Sequence, residues 1–152
     1  MNAEDCWKQF CRLHSQKNRH YEAWGFGDSA EMANQLGKLV LEGIKTATAS
    51  CHALYEWEGD PLPKEGDYNI ILDGDEQALC ITETTDVSLV PFDQVDSDQA
   101  WREGEGDRSL NYWSKVHEAF FTKELIETGL TFNPSMLIVC EKFRVVFRPE
   151  KQ

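Results

Sequence analysis

Trp7, Phe10, Cys11 and His14 recur at the spacing of one helical face, so residues 5–16 are expected to form an amphipathic helix. An aromatic, glycine-rich connection follows over 21–28. Asp28 or Ser29 then caps a second helix, with Glu31 placed for a capping box with Asp28 and an apolar stripe at Met32, Leu36, Leu39 and Val40. Gly43 is its natural left-handed terminator. The pattern then changes period. Thr46-Ala47-Thr48-Ala49-Ser50 alternates small side chains, as a strand with a tight neighbour does. A turn over 63–67 leads to strands at 68–72 and 78–85, joined by the hairpin signal Asp73-Gly74-Asp75, with 87–92 as strand or strand edge. Residues 97–103 and 109–127 read as helices, the second with Leu110, Trp113, Val116 and Phe120 on one face. Residues 136–147, rich in β-branched and aromatic side chains, are the last strand.

Strands that adjoin by hairpins, with helices clustered early and late, predict an α+β fold: a small, mostly antiparallel β-barrel flanked by helices. No repeat or linker divides residues 1–152, so a single domain is expected. The 152 residues, 41% hydrophobic and 28% charged, are enough to bury a core. No apolar run approaches the roughly 18 residues of a membrane span. The first 13 residues contain Glu4 and Asp5 and no apolar core of a signal peptide, so a cytoplasmic protein without a membrane partner is expected. Cys6, Cys11, Cys51, Cys80 and Cys140 are odd in number and sit in apolar-patterned segments. Buried free thiols are the expectation.

Charge narrows the partners. The net charge is −12, and residues 56–127 alone hold 19 acidic and 5 basic side chains. The remainder holds 8 acidic and 10 basic. Such a surface cannot grip duplex DNA by releasing counterions. A nucleic-acid partner would have to meet a basic patch drawn from the two ends of the chain; a small ligand in a pocket meets no such obstacle.

Several motifs fail on inspection. Gly43-Ile44-Lys45-Thr46 lacks the glycine array of a phosphate loop. His117-Glu118 lacks the spacing and the Pro-Cys-x-x-Cys of a zinc deaminase of bases. The His and Cys residues have no metal-ligand spacing, and there is no Gly-x-Ser-x-Gly elbow. No metal and no cofactor are therefore expected.

What survives is Gly43-x-Lys45-Thr46-x-Thr48 at a helix-to-strand junction. With it stand Trp24-Gly25-Phe26-Gly27-Asp28, Gly66-Asp67-Tyr68, Glu103-Gly104-Glu105-Gly106-Asp107, Tyr112-Trp113 and Val139-Cys140-Glu141-Lys142-Phe143. In this order the chain resembles an ASCH-domain protein, a relative of the PUA-type RNA-binding barrels, over about residues 20–147, leaving the first helix as an addition. The resemblance implies RNA binding, cleavage of single-stranded RNA, or removal of the acetyl group of N4-acetylcytidine. For the amidohydrolase members it implies a Lys, a Thr three residues later and a Glu beyond the central strands. These fall on Lys45, Thr48 and Glu105, with Glu103 the near competitor.

That set suffices for amide hydrolysis without a metal. A threonine hydroxyl needs a base within reach, a lysine desolvated in a pocket can be that base, and a carboxyl group can protonate the leaving nitrogen. Trp24 and Phe26 can stack on a base, and Thr46 and Glu103 complete the candidate substrate contacts. Structural readings stand beside each. Lys45 also complements the dipole of the preceding helix. Glu103 and Glu105 lie among Arg102, Asp107 and Arg108 as in a solvated loop, and Trp24 and Phe26 are equally ordinary core residues. In a regular strand Lys45 and Thr48 would point to opposite faces, so a shared role needs a bend, or a Lys45 that lies in the loop and reaches back. The preferred function is hydrolysis of an amide on a modified nucleoside. The alternatives are cleavage of single-stranded RNA and a non-catalytic RNA-binding module acting through Lys142, Arg144 and Arg148.

Overall fold

The computed structural model describes residues 1–15 and 20–150. The elements are α1 (Ala3–Leu13), β1 (Glu22–Trp24), α2 (Ala30–Leu41), β2 (Ala47–Cys51), α3 (His52–Glu58), β3 (Tyr68–Leu72), β4 (Ala78–Pro91), α4 (Ser97–Glu103), α5 (Leu110–Glu124) and β5 (Leu137–Phe147). Single 3-10 turns cover Phe92–Gln94 and Leu125–Thr128. The fold is of the expected α+β class. Its five strands are hydrogen-bonded in the order β1-β3-β4-β5-β2. The pairs β3–β4 and β2–β5 are antiparallel, and β1 lies parallel to β3.

The chain forms two compact units, one of residues 1–44, 65–85 and 143–152, the other of 45–64 and 86–142. In the first, Asn2 caps α1 by accepting from Asp5 N–H, and the helix buries Cys6, Trp7 and Phe10 beside Ile70, Ala78 and Ile81. It stops at Leu13, because His14 turns extended; Gln16, where it was expected to end, lies outside the described residues. Ser29, one of the two expected caps, caps α2 by accepting from Met32 N–H. The 73–75 hairpin forms, with Asp73 Oδ1 accepting from Asp75 and Gln77 N–H. Two strand readings change. Residues 22–24, taken as connection, pair with β3, and the two expected strands 78–85 and 87–92 are one strand running to Pro91.

The second unit is built around Cys51, Phe92, Val95, Ala100, Trp113, Phe121, Leu125, Ile138 and Cys140. Here α4 and α5 pack with β2 and β5. The buried positions of α5 are Trp113, His117 and Phe121, one above another at helical i, i+4 spacing, with Val116 and Phe120 at its margin. The α3 helix, which the pattern did not predict, follows β2 directly and ends on left-handed Gly59. All five cysteines are free, four of them buried. Burial pushes the thiols of Cys80 and Cys140 up to about 12, so they stay protonated.

Candidate active site

The site lies in the second unit and begins with how α2 ends. Ile44 N–H bonds to Leu39 O and Gly43 N–H to Val40 O, a Schellman closure with Gly43 at φ 77°. The chain leaves this cap as an irregular segment, so Lys45 is in the loop before β2 and not in the strand. Thr46 fastens that loop: its N–H bonds to Arg102 O at 2.7 Å, and its hydroxyl points to the same carbonyl. Lys45 is thereby led inward, and only 2% of it remains exposed.

Its ammonium meets the end of α4. Lys45 Nζ donates to Glu105 Oε2 at 2.9 Å and to the Glu103 carbonyl at 3.3 Å, and lies 3.6 Å from Glu103 Oε1. Both carboxylates reach it because Gly104, in the left-handed conformation at φ 74°, ends α4 between them and reverses the chain. Glu105 and its near competitor Glu103 therefore belong to one cluster. Glu105 is the more exposed partner, its side chain 15% accessible against 1% for Glu103.

Glu103 is held from four directions. Trp113 Nε1–H and Gln99 Nε2 donate to its Oε2, while Lys45 and His117 Nε2 approach its Oε1, the latter at 3.3 Å. Burial pushes this carboxyl up, but Lys45, His117 and the Trp113 N–H together bring it below the usual carboxylate range. His117 shows the mirror effect. Burial lowers it, yet Glu103, Glu105 and the Trp113 carbonyl raise it above the ordinary imidazole value. Glu103, Glu105 and His117 place donor atoms within 4.8 Å of one another. Of that group the two carboxylates meet the Lys45 ammonium, and His117 meets Glu103.

Thr48 stands at the edge of this cluster. Gln99 Nε2 bridges Thr48 O, at 3.2 Å, and Glu103 Oε2, at 3.1 Å. Opposed residues of an antiparallel pair share a face, so Thr48, Ser50, Val139 and Glu141 lie on one side. Ala49, Cys51, Ile138 and Cys140 lie on the other, in the core that includes Ala100 and Trp113. Thr48 is half-buried as a residue, and its hydroxyl forms no hydrogen bond among the described residues. On the same face Ser50 Oγ and Tyr55 OH are 2.8 Å apart.

Trp24 and Phe26 belong to the first unit. Phe26 is 5% exposed in a cluster with Val40, Ile71, Cys80 and Phe143, its ring edge-on to Trp24, whose N–H donates to Asn69. Gln99 and His117 escaped the sequence reading. Their signal is faint: Gln99–Glu103 and Trp113–His117 each set a polar group one turn from a buried position, but nothing in one sequence says that the two helices face each other.

The profile of the family described as ASCH domain matches residues 22–147. A crystal structure of a protein from Enterococcus faecalis V583, of the family DUF984, superimposes with a TM-score of 0.91 at 43% identity, covering 97% of this chain and 89% of that one. The ASCH domain from Lactobacillus crispatus JV V101 superimposes with a TM-score of 0.87 at 35% identity, covering 95% and 91%. No curated protein is similar enough to this chain to match it.

Proposed function

The chain belongs to the ASCH-domain family, and from that premise we propose that it hydrolyses an amide on a modified nucleoside, with N4-acetylcytidine as the model substrate. The family suggests RNA-binding or hydrolase-like roles; the choice of an amide rests on the partly buried hydrogen bond from Lys45 Nζ to Glu105 Oε2 at 2.9 Å. Along it Lys45 passes a proton to Glu105. The neutral amine then takes the proton of the Thr48 hydroxyl as its oxygen attacks the acetyl carbon. Glu105 returns its proton to the leaving exocyclic nitrogen as the C–N bond breaks, freeing cytidine. Water cleaves the resulting ester, releases acetate and restores Thr48. Support for Thr48 comes from Gln99, which ties its carbonyl to Glu103 at the edge of the cluster.

The test is chromatographic conversion of N4-acetylcytidine by the purified protein beside Lys45→Ala and Thr48→Val. Each change is expected to lower the rate by at least about 10²-fold. Unchanged activity in Lys45→Ala overturns the reading.

One observation favours a second reading, cleavage of single-stranded RNA. The Lys45, Glu103, Glu105 and His117 cluster is complete without the Thr48 hydroxyl. With a ribose 2′-hydroxyl as nucleophile, Lys45 stabilises charge at phosphorus and no protein nucleophile is needed. Thr48→Val then leaves RNA cleavage intact, and conversion of N4-acetylcytidine is absent from all the proteins.

A further inference from the structure

The proposed reaction uses Lys45, Thr48 and Glu105 and leaves Glu103 and His117, both buried, without a task. Their geometry assigns one. His117 Nδ1 lies 2.9 Å from the Trp113 carbonyl oxygen. A carbonyl only accepts, so Nδ1 carries a hydrogen. In a neutral imidazole that leaves Nε2 as a bare lone pair, and Nε2 faces Glu103 Oε1 at 3.3 Å. Two lone pairs repel. The contact is bonding only if one proton lies between them, either as imidazolium with carboxylate or as imidazole with carboxylic acid.

The other side of Glu103 selects between the two forms. Its Oε2 accepts from Trp113 Nε1–H and Gln99 Nε2, and Lys45 stands 3.6 Å from Oε1, so three donors besides His117 are directed at an ionised carboxylate. Trp113 also stacks on the imidazole, with centroids 4.3 Å apart and planes inclined by 17°, where its ring face favours a cation. The direction of both titrations, Glu103 down and His117 up, agrees.

We propose that His117 is a positioning residue, held as an imidazolium by Glu103 and Trp113, whose charge offsets Glu103 and so leaves Lys45 to exchange its proton with Glu105. With His117 charged, two cations meet two carboxylates. When His117 loses its proton, Glu103 turns its full charge on Lys45, the ammonium is held more tightly, and Lys45 can no longer act as a base. The groups that face this pair are Glu103 from α4, Glu105 from the loop after it, Lys45 from the loop before β2, and from β5 the Cys140 thiol, which the Glu103 charge helps keep protonated. The protonation of His117 stands on geometry alone; its effect on rate rests on the amidohydrolase reading.

The experiment therefore has two arms. In the first, long-range ¹⁵N–¹H NMR of the uniformly labelled full chain follows the four histidines across pH. His117 is expected to show both ring nitrogens protonated at pH 6.5 and to titrate above it. In Glu103→Gln its titration is expected to fall by at least about one unit. A native His117 that is neutral at pH 6.5 overturns the proposal, and that measurement needs no variant to fold. In the second arm, the pH–rate profile with N4-acetylcytidine is expected to fall on its alkaline side as His117 deprotonates. That limb is lost in His117→Gln, with kcat lowered more than KM. A limb that survives the substitution overturns the coupling. A charged His117 in a protein that converts no N4-acetylcytidine sinks the hydrolase reading and the coupling built on it, leaving only the protonation.

Discussion

Lys45 sits where a lysine is costly to bury, and its surroundings explain why it is tolerated: a carboxylate at 2.9 Å, a second at 3.6 Å and a backbone carbonyl at 3.3 Å. The same pairing makes stability depend on pH. Glu103 is lowered from 4.5, so its contribution is complete above that value and is lost as pH falls through the folded-state value. His117 is raised from 6.5, so its contribution is complete below that value and is lost as pH rises through the folded-state value. The pair thus stabilises most between 4.5 and 6.5. Urea unfolding against pH is expected to show a shoulder in that window, flattened on both sides in Glu103→Gln. An identical profile in the variant would mean the pair does not set it. Lys45 stood out only as part of Gly43-x-Lys45-Thr46-x-Thr48 at a helix-to-strand junction, where a cation also serves the helix dipole, and its catalytic role came from resemblance. Glu105 came only from resemblance. His117 did not come at all, since a histidine on an apolar helix face is more often a satisfied core residue, and only Glu103 opposite makes it otherwise.

At the scale of elements, two glycine turns aim the site. Gly43 ends α2 so that Lys45 enters a loop and is not a strand residue, the first of the two conditions for a role shared with Thr48; the second is that its ammonium reaches back to the Thr48 hydroxyl. Thr48 keeps the strand's alternation and lies on the face of Ser50 and Glu141. Gly104 ends α4 so that Glu103 and Glu105 converge. An L-residue at such a φ costs about 1–2 kcal/mol. Gly104→Ala and Gly129→Ala, the latter at φ 75° with open space around it, are both expected to lose about that much in denaturant unfolding. Only Gly104→Ala is expected to lose N4-acetylcytidine hydrolysis as well. Equal activity in the two variants would mean that the reversal at Gly104 does not aim the carboxylates. Elements with a strong period, such as β3, β5, α4 and α5, were legible to within a residue or so at most ends. Short ones were not. The three residues of β1 become a strand only by pairing with β3, and α3 has no buried residue to give it an apolar stripe.

Across the whole molecule, charge decides which ligands are affordable. With a net −12, long-range attraction for a polyanion is missing, and Arg144 is already bound through Nε and Nη2 to Glu83. The KM for N4-acetylcytidine is therefore expected to stay constant between about 50 and 200 mM salt, whereas a site that grips a polymer loses affinity steeply over that range. A single-stranded RNA whose binding falls with a log–log slope steeper than about −2, three or more phosphate contacts, would reassign the protein to polymer binding. No helix among the described residues is long and apolar enough to cross a membrane. The sequence by itself determined the α+β class, most elements and the acidity, because each follows from local periodicity, turn chemistry or a count; the candidacy of Lys45 followed from resemblance to a family. The tertiary structure alone decided that Glu103 and Glu105 act on one ammonium, that Gln99 ties Thr48 to them, and that His117 completes the set. Apart from the Gln99–Glu103 bond within α4, those contacts join residues 14 to 60 positions apart, and a separation of that length is set by how helices pack, which no local pattern records.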